Sequence, residues 1–217
     1  FCAQSAHSNT CAARYPLLPA GEIVAHARLN HEQGVLRYSI VTSGKRLSDA
    51  DVPEELKTVR VQNVRVASEV QFASRSLYYS GPFINSGPMP PRVEQETTFT
   101  VVWTVVNGSN SITNARVRAV LPPYVKWFGS VSPSKENITY DKYTKEIIWN
   151  PGDVPAGTGI NLPPKEVAFQ LVVLPSLTQK GATPPILNDQ VFSAIDTFTN
   201  SEFKINAKDV ATDVITD

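Results

Sequence analysis

Residues 97–108 read TTFTVVWTVVNG. Bulky apolar side chains alternate with smaller or polar ones, as in a β-strand with one face packed in a core. The side chains of that face are Phe99, Val101, Trp103 and Val105. Asn107-Gly108 ends the run with turn-forming residues. We therefore predict a buried strand over 97–106 that ends in a turn.

Comparable alternating runs recur along the chain at short intervals, separated by Pro-, Gly- and Asn-containing turns. They lie at 22–30, 35–41, 59–80, 113–123, 137–150, 166–175, 191–199 and 201–210, and a further short strand is predicted to begin at 125–128. This pattern predicts an all-β, antiparallel Ig-like β-sandwich with an N-terminal β-hairpin extension formed by the first two runs. The predicted core consists of Phe99, Val101, Trp103, Val105, Val117, Leu121, Trp127, Trp149, Phe169 and Leu171.

We predict two regions in the chain. Residues 63–217 are sufficient for one sandwich, whereas residues 1–62 hold too few strands to enclose a core alone. The first region is therefore expected to be a partial domain or a source of swapped strands. Within it, SDADVPEELKTV at 48–59 predicts one short helix, with Asp51 as its cap and Pro53 in its first turn.

The composition excludes several classes of function. There are 20 basic and 20 acidic residues, and neither half carries a basic patch suited to nucleic acid. No apolar run approaches the roughly 20 residues that span a bilayer. The chain begins at Phe1 without a signal-peptide pattern, so we expect a processed chain or an excised fragment.

Cys2 and Cys11 are the two cysteines of the chain. A disulfide between them is the main prediction, and it would place the protein in an oxidising compartment. His7 lies between them, so a zinc site completed by His26 or His31 is an alternative, although the spacing matches no common zinc motif. Free thiols are the third alternative.

The region from 63 onward contains no histidine, so a Ser-His-Asp or Cys-His site cannot be built within it, and we predict no catalytic residues and no enzymatic activity. No cofactor is expected, apart from a weak calcium hypothesis that involves Asp189 and Asp196. Asn107-Gly-Ser and Asn137-Ile-Thr are N-glycosylation sequons whose use the sequence leaves open.

Several motifs occur in order over residues 64–215: P-P-x-V at 90–93, T-x-x-W-x-V-x-N at 100–107, V-L-P-P at 120–123, I-x-W at 147–149 and D-x-P-A-G-T-G at 153–159. With them, the chain resembles the Ig-like "conserved repeat" surface modules known as domain of unknown function eleven. The variant is similar to that in large surface proteins of ultrasmall candidate-phylum bacteria. The resemblance implies an extracellular Ig-like sandwich without catalytic activity.

These observations predict an extracellular or cell-surface structural or interaction module. Its expected partners are proteins, either neighbouring copies or other surface domains. One form of this hypothesis is a filament whose subunits are joined by strand exchange through the N-terminal hairpin. The alternative is an adhesion module that binds carbohydrate or a host-cell surface protein through loops at the ends of the sandwich.

Overall fold

The computed structural model describes the backbone of residues 2–5, 8–17, 21–32, 35–47 and 53–212, and the side chains of residues 35–41 and 57–212. The chain divides into two compact units, Phe1–Val66 and Ala67–Asp217. The sequence placed the division at 62/63. Each unit is all-β and antiparallel, which confirms the predicted fold class.

The first unit is a five-stranded antiparallel sheet in which each strand pairs with the next along the chain. Its strands are β1 (Cys2–Ser5), β2 (Ser8–Leu17), β3 (Gly21–Glu32), β4 (Val35–Leu47) and β5 (Pro53–Arg65). The predicted hairpin is β3 with β4, which pair from Glu32↔Val35 to Val24↔Ser43. It is therefore the centre of a larger sheet rather than an isolated extension.

The helix predicted over 48–59 is wrong where the structure describes it, because residues from Pro53 onward belong to β5. β5 pairs with β4 without a register shift, from Leu47↔Pro53 to Val35↔Arg65. Continuous pairing with a neighbouring strand outweighs the local capping signal, which is a weak determinant by comparison. Asp51 lies outside the described residues.

The second unit contains two antiparallel sheets that share one core. The first sheet has the order β6-β7-β12-β9 and the second β10-β11-β8-β13-β14, with β15 also paired to β13. Their bounds are β6 (Val70–Leu77), β7 (Thr97–Asn107), β8 (Ile112–Val120), β9 (Val125–Ser132), β10 (Ile138–Tyr140), β11 (Glu146–Val154), β12 (Lys165–Val173), β13 (Pro185–Asp196), β14 (Glu202–Asn206) and β15 (Val210–Ala211), with a 3-10 turn at Leu177–Gln179.

The core lies between these sheets and contains the side chains that the alternation placed inward. Trp103 and Trp149 are fully buried and stack with ring centroids 6.3 Å apart. Trp103 also meets Phe169 edge-on at 4.8 Å. Trp127 differs from the other predicted core residues because it is half-buried and packs against the core from its edge. Burial of each large side chain contributes about 1.5–3 kcal/mol.

The proline-rich segment before β7 covers the outer face of that strand. Ser86 N donates to Thr98 Oγ1 (2.6 Å), and Thr98 N donates to Ser86 O (2.8 Å). Asn85 Nδ2 donates to Thr100 Oγ1 (3.0 Å). Phe83 packs on a small apolar cluster at Val102. Almost every residue of β7 is consequently buried, on both faces of its sheet.

Candidate functional site

The two ends of the sandwich hold the features with the most distinctive chemistry. At one end, four buried polar residues form a cluster, which we call the Asp196 cluster: Ser68, Asn107, Asn110 and Asp196. At the other end, β13 begins at Pro185 beside β15. We call these ends the Asp196 pole and the Pro185 pole.

Asp196 is fully buried, and each of its two carboxylate oxygens accepts two hydrogen bonds. Oδ2 accepts from Ser68 N (2.7 Å) and Asn110 Nδ2 (2.9 Å). Oδ1 accepts from Phe198 N and Thr199 N, each at 2.8 Å. Burial acts to raise the pKa of Asp196, but these four donated hydrogen bonds outweigh it and lower the pKa to about 2.

Asn107 extends the cluster across the pole. Its Nδ2 donates to three backbone carbonyls, those of Asn110 (2.8 Å), Val154 (3.1 Å) and Pro155 (3.0 Å). Its Oδ1 accepts from Ser68 Oγ (2.8 Å). This side chain joins the β7–β8 turn to the loop that follows β11, and it has no surface exposed for a glycan. In contrast, Asn137 of the second sequon is exposed.

Asp189 and Asp196 do not form one site. Both lie on β13, seven positions apart, and at a rise of roughly 3.3 Å per residue their backbones are separated by about 20 Å. All four acceptor positions of Asp196 are filled by N–H donors, whereas Asp189 is exposed. Across residues 35–41 and 57–212, no three His, Cys, Asp or Glu side chains are placed to hold a metal ion.

The Pro185 pole carries an open groove of about 620 Å³. Its lining is rich in proline, with two exposed cationic side chains, Arg92 and Lys180. Beside it, Tyr124 Oη donates to Pro185 O (2.7 Å), and burial raises the pKa of this phenol. The remaining lining includes Pro90, Pro91, Val93, Pro175, Leu177 and Pro184.

A second groove, of about 490 Å³, lies on the outer face of the β6-β7-β12-β9 sheet. Some of its charged side chains form ion pairs or hydrogen bonds within the protein. Lys165 Nζ contacts Glu136 Oε1 at 2.8 Å, and Thr104 Oγ1 donates to Glu166 Oε1 at 2.7 Å. Glu136 Oε2 also accepts from Trp149 Nε1 (3.0 Å), so this carboxylate joins β11 to β12.

The three tryptophans do not form a shared platform for carbohydrate. Trp103 and Trp149 are fully buried, and Trp103 Nε1 donates to Gln190 Oε1 at 2.9 Å inside the core. Trp127 stacks on Tyr140 with centroids 5.8 Å apart and an interplanar angle of 17°. Since Trp127 lies on β9 and Tyr140 on β10, this pair closes the side of the sandwich between two edge strands.

The cysteines lie directly opposite each other: β1 pairs with β2 in the register Cys2↔Cys11. Opposed residues of antiparallel strands have Cα atoms about 4.5–5.5 Å apart, a range that suits a disulfide. Their side chains lie outside the described ones, so the disulfide stays a prediction. His7 lies outside the described residues, and of His26 and His31 only the backbone is described, so the zinc alternative also stays a prediction.

The sequence did not predict the Asp196 cluster. One part of it had a local signal, because an Asp at the start of a turn accepts from the backbone two and three residues later, as Asp196 does in Asp-Thr-Phe-Thr. The contacts with Ser68 and Asn110 had no such signal, since these residues are distant in the sequence.

No protein-family model matches the chain. Short stretches of it are similar to biotin synthases. The biotin synthase of Akkermansia muciniphila is 60% identical over 52 residues, which cover 24% of this chain and 16% of that protein. That of Parabacteroides distasonis is 50% identical over 60 residues, or 28% of this chain and 18% of that protein. The chain therefore spans less than a fifth of the length of these relatives.

Among solved structures, the chain is similar to the major pilin subunit BcpA (D312A) of Bacillus cereus, with a TM-score of 0.41 and 9% sequence identity. The superposition covers 87% of this chain and 54% of the pilin. Within the described residues, no helix has the length and apolar character needed to cross a bilayer.

The biotin synthase matches correct one expectation. The prediction that the chain has no enzymatic activity is wrong as a statement about the whole chain, because about a quarter of it is similar in sequence to an enzyme. That prediction rested on the absence of histidine from residues 63–217, which bears only on Ser-His-Asp and Cys-His sites. A stretch that makes up 16–18% of a larger enzyme carries no such signal.

Proposed function

We propose that the second unit is a structural module of a cell-surface or extracellular assembly, in which it connects the chain segments on its two sides. The observation that carries this proposal is the placement of Ser68, near the start of the unit, and of Thr212, the last residue that the structure describes. Ser68 belongs to the Asp196 pole, where it contacts Asp196 and Asn107. Thr212 N donates to Pro184 O (3.2 Å) at the Pro185 pole.

The described part of the unit thus starts at one pole and ends at the other. The two poles are separated by the length of β7, which has 11 residues and spans roughly 35 Å. A module with this arrangement extends a chain, whereas a module whose ends meet at one pole forms a side branch. The resemblance of residues 64–215 to surface repeat modules supports the same function.

Labelling of intact cells that make the protein tests this proposal. Lys126 and Lys204 have exposed side chains that a membrane-impermeant amine reagent can reach. We expect peptides that contain these lysines to be labelled on intact cells, while a cytosolic marker protein is labelled only after lysis. Labelling of Lys126 and Lys204 only after lysis contradicts the proposed surface location.

The filament form of the hypothesis needs a different strand from the one predicted. β3 and β4 each lie between two neighbours in the first unit, so the predicted hairpin has its hydrogen-bonding partners within its own sheet. β5 is at an edge of that sheet, and Val59 and Val61 on it are 55% and 51% exposed. β5 is 13 residues long, and the backbone groups along the edge of a long strand can pair with another chain.

We propose β5 as the strand through which copies associate. Sizing and negative-stain imaging of the purified chain at increasing concentration test this, with Val61→Lys as the variant and Ser39→Lys, on the central strand β4, as the control. We expect Val61→Lys to reduce association and the control to leave it unchanged. A chain that stays monomeric at all concentrations contradicts the filament form alone and leaves the connecting module in place.

The biotin synthase matches favour a second candidate function for part of the chain. We propose that the matched stretch derives from such an enzyme and takes part in biotin formation. Expression of the full chain in a bacterium that lacks its own biotin synthase tests this proposal. Growth without added biotin supports it, and growth only with added biotin, when the chain is shown to be expressed, contradicts it. Adhesion to carbohydrate or to a host-cell surface protein, through loops at the ends of the sandwich, stays a prediction.

A further inference from the structure

We propose that the second unit bears tension along its pole-to-pole axis, because that tension loads its first and last strands in shear. The inference rests on the proposed function as a connecting module and adds a mechanical role to it. It follows from the direction in which the terminal strands run, from the register of their pairing, and from two hydrogen bonds that join them to the opposite sheet.

The first strand, β6, runs from the Asp196 pole towards the Pro185 pole. It pairs with β7 in continuous antiparallel register from Val70↔Asn107 to Leu77↔Thr100. Ladder hydrogen bonds in an antiparallel pair are perpendicular to the strands. A force that draws Ser68 outward from its pole therefore acts along β6 and loads all bonds of this ladder together, rather than opening them one after another.

The last two strands, β14 and β15, both pair with β13 and run in the same direction as β6. β14 pairs with β13 from Ile195↔Glu202 to Val191↔Asn206, and β15 continues with Leu187↔Val210 and Pro185↔Ala211. A force that draws Thr212 outward from the Pro185 pole acts along both ladders. The two ends of the unit are thus each held by bonds perpendicular to the load.

Two hydrogen bonds, one from Ser68 and one from Ser76, tie β6 and the residues just before it to the second sheet near both poles. Ser68 N donates to Asp196 Oδ2 (2.7 Å), which joins the residue that receives the load to the end of β13. Ser76 Oγ donates to Ala211 O (3.0 Å), which joins the end of β6 to β15. Because the first of these acceptors is a buried carboxylate, that bond belongs to the stronger, charge-assisted class.

Single-molecule pulling on the full chain tests the inference through the direction of force. In one form, azide-bearing residues replace Ala67 and Ala211, so that the handles lie at opposite poles. In the other form they replace Ala67 and Ser201, and both handles then lie at the Asp196 pole, where Ser201 O accepts from Asp196 N. The second geometry opens the ladders from one end.

We expect a severalfold higher unfolding force in the first geometry at equal loading rate, although the equilibrium stability of the two forms is the same by chemical denaturation. Equal forces overturn the inference. Asp196→Asn should lower the ratio of the two forces, whereas Ile147→Val, a core change remote from the loaded ladders, should lower both forces and leave the ratio unchanged. An unchanged ratio in Asp196→Asn overturns the role of the Ser68–Asp196 bond.

The pulling result and the labelling result are independent. A unit that is labelled on intact cells but unfolds at equal force in both geometries retains the proposed function and loses the mechanical role. A unit that resists axial force but is labelled only after lysis retains the mechanical property and loses the proposed surface function.

Discussion

At the scale of single residues, the Asp196 pole is organised around the buried carboxylate of Asp196. A buried carboxylate is stable there only because four N–H groups point at it, two from its own turn and two from Ser68 and Asn110. Removal of its charge leaves those donors facing a weaker acceptor. In a buried network, such a mismatch lowers the free energy of unfolding by more than the loss of one exposed hydrogen bond does.

The pKa of Asp196 predicts how stability depends on pH. Since the folded state lowers this pKa to about 2 from the usual 3.8, the carboxylate stabilises the fold fully above pH 4, and this contribution is lost as the pH falls from 4 to 2. We expect a loss of about 2 kcal/mol in the free energy of unfolding across this window.

Urea unfolding between pH 5 and pH 2 measures that loss. Asp196→Asn should be less stable than the parent protein at pH 5 by about 2–3 kcal/mol, and its stability should change less below pH 4. Asp189→Asn, on an exposed carboxylate of the same strand, is the control and should behave as the parent protein. Parallel pH curves for the parent protein and Asp196→Asn would contradict the assignment.

Gly159 occupies a position that excludes every side chain. Its φ is +80°, and an added Cβ would lie 2.7 Å from Val106 Cγ2. Gly159→Ala should therefore destabilise the second unit by at least about 1 kcal/mol in urea unfolding. Gly152→Ala is the matched control: it shares a positive φ, +78°, but its added Cβ meets nothing within 4 Å. Equal losses would show that contact with Val106 is unimportant.

At the scale of elements, the sandwich is joined across its sheets by a few polar bonds at strand ends. Glu136, in the turn before β10, accepts from Trp149 on β11 and contacts Lys165 on β12. The Glu136 side chain is 6% exposed and Trp149 is fully buried, so these two groups have little access to water, whereas Lys165 is 32% exposed. This link differs from the Lys126–Glu96 pair, whose side chains are 61% and 57% exposed.

This contrast predicts different costs for the same substitution. Glu136→Gln should lower the free energy of unfolding by about 1.5–3 kcal/mol, because the amide cannot accept from both partners and carries no charge. Glu96→Gln should change it by less than about 1 kcal/mol, as is usual for an exposed ion pair. Thermal and urea unfolding of both variants measure this, and equal effects would contradict the argument from burial.

At the scale of the whole molecule, the second unit has a complete core of its own. Its buried residues come from both of its sheets, and all of them lie within the second unit. A region of this size buries enough apolar surface to fold independently. We therefore expect a fragment of residues 67–217 to fold alone and to unfold cooperatively, with near-ultraviolet circular dichroism from its buried tryptophans. Non-cooperative unfolding of the fragment would contradict this.

The alternation in the sequence predicts most strands of the second unit and the side chains that they bury, although it begins β13 at 191 instead of 185. The period-2 alternation is a local property, and burial of one face of TTFTVVWTVVNG follows from it directly. It failed at residues 53–59, where a local helix signal competed with pairing to β4, because pairing depends on a strand elsewhere in the chain.

Three features follow from tertiary contacts alone: the Asp196 cluster, the direction of the chain through the unit and the cover over the outer face of β7. Ser68 and Asp196 are 128 residues apart in the sequence, and no local pattern pairs a serine amide with a carboxylate at that distance. Asn107 is of a residue type that is common in turns, yet it is buried. Its side-chain amide donates to carbonyls of the β7–β8 turn and of the end of β11. Such contacts depend on which strands meet at one pole, and the order of strands in a sheet is a property of the assembled fold.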